Sequence, residues 1–407
     1  MRLKRLILAL VALSAVSGCA VGPDYEVPAV VTASAFKGAP VNSAQWIELK
    51  ATQAWIRGDW WTLFKDAELN QLMLLLNQEN QSIAQALARY QAAIAQRRSA
   101  TADWFPNVGS TMSVTRAGGS EQDPNNRFSL GANLSWEADL WGSIRRSVES
   151  STASEEEAEI ALADARLSMQ VQLLESYFQL RRSDLERELL RKIIQAYEQS
   201  LTITRNRYEQ GVVAYADVVQ AEAQLENARS DAIAVETNRR HYENMIAVLV
   251  GQMPSSFHIA ERVDYLPEMI SVPVGIPAEL LRARPDVAAA ERRVAAANAK
   301  IGVAQSAWLP RLSLSANGSY QATHFSDWIR SPLNVWSLGP QLVLSILDGG
   351  ARQAAVDSAK AAYQSEVAAY RQAVLEAMRE VENALTAAVN LEREQEACLL
   401  YTSPSPR

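Results

Sequence analysis

The chain has 407 residues and a formal net charge of −7, a balance that lacks the basic footprint of nucleic-acid binding. Two cysteines exclude a disulfide framework, while 48% hydrophobic residues allow extensive burial. His241, His258 and His324 show no metal-ligand spacing and no G-x-S-x-G, P-loop or dinucleotide fingerprint occurs, so neither an enzyme nor a cofactor is expected.

Arg2, Lys4 and Arg5 precede an apolar run from Leu6 to Val16. That run has signal-peptide length, since a mature spanning helix needs about 20 apolar residues. Residues 1–18 are therefore expected to be a removed signal. Val16-Ser17-Gly18-Cys19 resembles a bacterial lipobox, which implies that Cys19 opens the mature chain and carries S-diacylglycerol and N-palmitoyl groups. Two or more acyl chains anchor a protein stably. In lipoproteins of this type Asp after the Cys tends to cause inner-membrane retention; Ala20 stands there, and the resemblance points to the outer membrane. Residues 19–65, beginning with the Gly/Pro-rich "AVGPDYEVP", are expected to be an extended lipidated segment. The mature chain has no second apolar run of spanning-helix length, so any protein part that enters the membrane must be strands closed into a barrel.

Trp104-Phe105-Pro106 is echoed by Trp308-Leu309-Pro310. Each follows an Ala-rich helical stretch, precedes strand-like sequence, and is followed after a Gly/Arg junction by long helical sequence. Proline ends each helix because it lacks an N–H and restricts the residue before it. The chain reads as two repeats of helix, β-hairpin and long helix. The first spans 66–250, with a β-hairpin at about 107–138 and a helical hairpin at about 142–250. A linker covers 251–276, and a shortened second repeat covers 277–397 with a β-hairpin at about 311–347. Apolar side chains fall on even positions: Val108, Met112 and Val114; Phe128, Leu130, Leu134 and Trp136; Leu312, Leu314 and Tyr320; Trp336, Leu338, Leu342, Leu344 and Ile346. Small or polar residues alternate with them, as in transmembrane barrel strands with apolar side chains outward. Residues 117–126 and 322–333 read as loops. Four strands cannot close a barrel, which starts at about eight, so several copies must share one.

From Ser143 to about Tyr208 there is no Pro or Gly, and a straight helix of that length would reach roughly 100 Å. Leu167, Val171, Leu174 and Phe178 predict one apolar seam. Val218, Ala221, Leu225, Ala228, Ala232 and Val235 predict a second, with small residues suited to close helix pairing. Between them "YEQGVVAYADV" reads as a hairpin tip, with Gly211 allowing the reversal. Val212, Val213 and Tyr215 would be exposed there, and an exposed apolar tip suggests a partner.

"WWTLFKDAELNQLM" (60–73), "NQSIAQALARYQAA" (80–93), "RYEQGVVAYADVVQAEAQLENA" (207–228) and "IPAELLRARPDVAAAERRVAAANAKIGVAQSAWLPRLSL" (276–314), with Cys19 and "VGPDYEVP", resemble the TolC/OprM-type outer-membrane factors, in the lipoprotein branch with NodT. The resemblance covers 19 to about 397. It implies a mainly α protein with transmembrane β structure: a homotrimer whose 12-stranded β-barrel is continued by an α-helical coiled-coil tunnel through the periplasm. It also implies a periplasmic adapter docked at Gly211, Val212 and Val213, an inner-membrane pump beyond it, and export of drugs or other small molecules. Asp217 is a candidate for the periplasmic constriction. Two alternatives stay open: the outer-membrane channel of a type I protein secretion system, and a non-conducting, lipid-anchored coiled-coil envelope protein. Aligning the repeats leaves roughly 60 residues of second-repeat hairpin without a counterpart. The ending "CLLYTSPSPR" (398–407) has no helical period and is read as a truncation point or foreign tail.

Overall fold

In the computed structural model the described residues are 20–30, 58–119, 122–266, 284–327 and 335–402, the side chains of 122, 123 and 399–402 excepted. The expected signal and Cys19 lie outside them. A 3-10 turn, Trp60–Phe64, leads into α1 (Ala67–Glu79) and α2 (Gln81–Ala102). Strands β1 (Asn107–Gly119) and β2 (Gln122–Ala138) follow, then α3 (Ser143–Glu209) and α4 (Tyr215–Leu249). The second half holds α5 (Pro285–Ser306), β3 (Arg311–Ala322), β4 (Val335–Val343) and α6 (Ala351–Thr402). The chain forms two compact units. One takes Met1–Gly38, Arg89–Ala161 and Leu280–Arg407, the other Ala39–Ala88 and Leu162–Glu279.

The first unit contains one antiparallel sheet of order β1-β2-β3-β4. Apart from a register shift at the end of the first hairpin, where Gly119 pairs with Gln122, the ladders pair even positions with even positions: Val108 with Leu134, Leu130 with Tyr320, Trp136 with Leu314, Ala316 with Leu338 and Leu312 with Leu342. Because successive side chains point to opposite faces, this register gathers the even-numbered apolar residues onto one face of all four strands. The other face carries Thr111, Ser113, Ser129, Asn133, Ser315, Asn317, Ser337 and Gln341, with Ser113 Oγ 2.6 Å from Ser129 Oγ. Indoles brace both Trp-x-Pro turns: Trp136 Nε1 donates to the Trp104 carbonyl at 2.9 Å, and Trp141 Nε1 to the Pro310 carbonyl at 2.8 Å.

Three local expectations change. The first hairpin is longer than its alternation, since Arg116 pairs with Asn126 and Ala117 with Asn125. Polar residues extend a ladder as well as apolar ones where the backbone pairs, so 117–119 and 122–126 are strand. β4 stops at Val343, short of Leu344 and Ile346. The segment Cys398–Thr402, read as lacking a helical period, is the last turn of α6. A preceding run of good helix formers carries it, and Pro404 restricts the residue before it.

The second unit is built on α1. Asp66 caps it, its Oδ1 accepting from the Glu68 amide at 2.9 Å and the Leu69 amide at 3.1 Å. Leu69, Leu72, Met73 and Leu76 then pack against Leu173, Tyr177 and Leu180 of α3 and Ile246 and Leu249 of α4. The predicted α3 seam holds in part: Leu174 and Phe178 pack on the core beside the fully buried Leu173, Tyr177 and Leu180, whereas Leu167 and Val171 are exposed. Polar residues share the buried side, which apolar spacing alone does not show. The α4 seam holds, with Val218 and Leu225 packed on Leu201 and Ile194 of α3.

Those polar residues form a hydrogen-bonded network. Asp184, 0% exposed, accepts from Arg239 Nε at 2.6 Å, Arg181 Nη1 at 2.8 Å and the Arg262 amide at 3.1 Å. Arg181 also meets Glu68 and donates to the Ala260 carbonyl at 2.7 Å. Tyr177 donates to Asp66 Oδ2 at 2.8 Å. Burial pushes the Asp66 carboxyl up. The hydrogen bonds from Tyr177, Leu69 and Glu68 and the nearby Arg262 charge outweigh it and hold the group below its ordinary value. Burial, with the Asp66 charge and hydrogen bond, raises the Tyr265 hydroxyl to about 12.

A carboxylate depressed in the folded state stabilises fully above its unfolded pKa and loses that contribution as pH falls through the folded value. Asp66→Asn should therefore lower Tm at pH 7. Its gap from the wild type should shrink as pH drops below about 4, the ordinary Asp range. Thermal melts across pH 2–7 measure this, and a pH-independent gap would assign the loss to packing.

Candidate functional site

The α3–α4 connection is a single compact turn. The Gly211 amide donates to the Tyr208 carbonyl at 2.8 Å and the Val212 amide to the Arg207 carbonyl at 2.9 Å. This pair of bonds defines a Schellman ending, which needs a left-handed residue at the position of Gly211. Gly211 has φ +74, and no atom lies within 4 Å of where its Cβ would be. Glycine is there for its backbone, not for space.

The next helix starts three residues later. Ala214 occupies the cap position and has no side-chain acceptor, so Asp217 supplies the capping bond. Its Oδ2 accepts from the Ala214 amide at 3.0 Å, and its own amide donates to the Ala214 carbonyl at 3.0 Å. A carboxylate in the first turn also suits the helix dipole. Asp217 is exposed and engaged in this cap.

Gly211, Val212, Val213 and Tyr215 thus sit on one turn. Val212 is 63% exposed and Tyr215 61%, while Val213 is half-buried. Tyr208, which the sequence reading left out, places its ring 5.5 Å from that of Tyr215 and widens the apolar tip. The seven-residue spacing across the turn was its signal. Farther along the pair, Arg205 Nη2 meets Glu222 at 2.5 Å and Arg229 Nη2 meets Glu198 at 2.8 Å. Exposed pairs of this kind contribute little to stability.

In the other unit, the even-numbered sheet face is a second feature that asks for a partner. Val108 is 69% exposed and Trp336 72%, with Met112, Leu338 and Leu342 close behind. A contiguous apolar patch of this extent marks a protein or lipid contact. β1 and β4 end the sheet, each with one side unpaired within it. Among the described residues no helix is long and apolar enough to cross a membrane, and no three His, Cys, Asp or Glu converge as a metal site. His241, His258 and His324 are not brought together.

A family model for outer membrane efflux proteins matches residues 72–252 and 276–400. Nodulation protein T of Rhizobium leguminosarum bv. viciae is 32% identical over 376 residues, covering 91% of this chain and 76% of that protein. Outer membrane protein OprJ of Pseudomonas aeruginosa is 28% identical over 388 residues, with 93% and 80% covered. The solved structure of the outer-membrane channel OprN superposes with TM-score 0.83 at 32% identity, covering 95% of this chain and 86% of that one.

Gly211→Ala should cost roughly 1–2 kcal/mol through backbone strain alone. Gly211→Asn should cost less, because Asn tolerates the left-handed region. Asp217→Ala should cost about 1 kcal/mol by loss of the cap. Urea titrations of the three variants check the order.

Proposed function

The chain belongs to the outer membrane efflux protein family, and from that premise we propose how its parts build the conduit. It is the outer-membrane channel component of an efflux system. Three copies join β1 of one to β4 of the next, giving twelve strands from the four in each chain. The single observation that carries this is the even-numbered face, apolar on all four strands and exposed on β1 and β4 at Val108, Met112, Trp336, Leu338 and Leu342. Hydrocarbon covers that face, and the Ser/Thr/Asn/Gln face lines a water-filled lumen. The odd-numbered lining is mostly Ser, Thr, Asn and Gln, with Arg127, Glu137 and Arg311 as its charged positions, and such a hydrated wall suits a passive exit for drugs or other small molecules. α3, α4 and α6 extend the wall as a helical tunnel.

Cys19 carries the acyl groups that tether the chain to the same membrane. The Gly211–Tyr215 turn docks a periplasmic adapter, which couples the channel to an inner-membrane pump. Val212 and Tyr215 supply apolar area worth about 25 cal/mol per Å2 once covered. Asp217, beside the turn, adds charge at the periplasmic mouth and serves as the candidate constriction. The exposed apolar sheet favours a pore over a non-conducting coiled-coil tether, which would leave that surface unexplained.

An arginine on the lipid-facing surface near mid-membrane costs roughly 2–4 kcal/mol, whereas the lumen hydrates it. Leu134→Arg should therefore reduce heat-resistant assembled trimer far more than Ser135→Arg on semi-native gels. The reverse ranking would invert the lumen and lipid faces.

Val212→Asp should reach the outer membrane at the wild-type level, because it leaves the sheet register untouched. In cells deleted for the endogenous channel it should fail to crosslink to the adapter and fail to restore efflux of a fluorescent substrate. Wild-type efflux by this variant would remove the docking role of the turn.

A further inference from the structure

Residues 20–30 precede the secondary structure and take no part in the conduit, yet they are held at almost every step. The Val21 amide donates to the Trp141 carbonyl at 3.0 Å. Arg146, buried at 5% exposure, donates from Nε to the Val21 carbonyl at 3.4 Å. Its Nη2 reaches the Gly22 carbonyl at 3.3 Å and Asp24 Oδ1 at 2.7 Å. Asn298 Nδ2 donates to the Pro23 carbonyl at 2.9 Å. The Tyr25 hydroxyl bonds Glu291, and the Arg292 guanidinium lies 5.9 Å from its ring. Val30 packs beside Val287 and Val374.

These contacts define a direction. Residues 22, 23, 25 and 30 meet α5 at 302, 298, 291 and 287, one helical face read toward its N-terminus. That stretch of α5 rises about 22 Å. Eight residues of extended chain reach at most about 26–29 Å. The segment is close to taut and has little room to slide.

The register is also locked sterically. A Cβ on Gly22 would fall 2.5 Å from Gly302 Cα, and one on Gly302 would fall 2.7 Å from the Val21 carbonyl oxygen. A Cβ on Gly142 would fall 2.8 Å from that of Ala20. Gly22 and Gly142 have φ of +107 and +79, so both the space and the backbone conformation exclude larger residues.

We propose that residues 20–30 are a length-setting strap. They hold Ala20, the residue after Cys19, against the Trp141–Gly142 turn, immediately beyond the end of β2. An acyl anchor on Cys19 then leaves the protein at the margin of the apolar sheet face, with no slack. This rests on the reading of Cys19 as acylated. Each residue of slack would add about 3.3 Å of play between anchor and sheet. The strap removes that freedom and sets the sheet's depth in the bilayer during assembly.

The test uses the full chain in cells, with Cys398→Ser and a spin label at Glu26→Cys, an exposed strap position. One variant inserts Ser-Gly-Ser-Gly-Ser-Gly between Ala20 and Val21, upstream of the docked strap. A second inserts the same six residues after Val30. A third, Gly302→Val, undocks the strap. Radiolabelled palmitate should enter all three and the parent, but not Cys19→Ser. The upstream insert should keep the label immobile and lower heat-resistant trimer at least fivefold. The downstream insert should match the parent. Gly302→Val should free the label and lower trimer as the upstream insert does. Parental trimer levels from the upstream insert, or an equal loss from the downstream one, overturns the strap. Equal palmitate labelling of the parent and Cys19→Ser overturns the anchor reading instead.

Discussion

A strand edge facing hydrocarbon leaves its N–H and C=O groups without partners, at several kcal/mol each. β1 and β4 each present such an edge, and four strands are too few to bring the two together. The apolar face makes the constraint unavoidable, because it demands the environment in which open edges fail. Assembly is therefore a condition of the sheet's existence. The Trp136 and Trp141 indoles tie the strand ends to the Trp-x-Pro turns.

The second unit rests on a different balance. Its core mixes Leu69, Leu76, Leu173 and Ile246 with the ion-paired Arg181, Asp184 and Arg239. Burying such charges gains little net stability over apolar packing, but breaking the set leaves an uncompensated charge inside. All three members reach the same stretch, 259–262: Arg181 the Ala260 carbonyl, Arg239 the Ile259 carbonyl, Asp184 the Arg262 amide. The network thus pins a chain segment with no regular structure of its own, a task that apolar contacts, lacking direction, perform poorly.

Much of the architecture was readable from the sequence because it depends on local rules. Even-odd alternation marked the strands, Trp-x-Pro marked the helix ends, and Gly211 between two long runs marked the tip. Most of what escaped depends on partners distant in the chain. On α3, Leu174 and Phe178 reach the core as expected, but the burial of Arg181 and Asp184 was not foreseen. Asp217 was read only as a candidate constriction; its capping bond to the Ala214 amide is local, but the sequence reading did not draw it. The strap has no periodicity to read, and Gly302 looks like an ordinary helix glycine until the Val21 carbonyl is seen against it.

Up to the irregularity between Ala117 and Gly119 at one hairpin end, even-with-even pairing runs through all three ladders, so the four strands share one parity. This limits how such a sheet can change length over evolutionary time. Within a strand, residues can be gained or lost only in pairs, or else opposed by a bulge, because an odd change would exchange the wetted and oiled surfaces beyond it. Loops carry no such arithmetic. Lineages derived from this sheet should therefore vary freely at the hairpin ends and in steps of two along the strands.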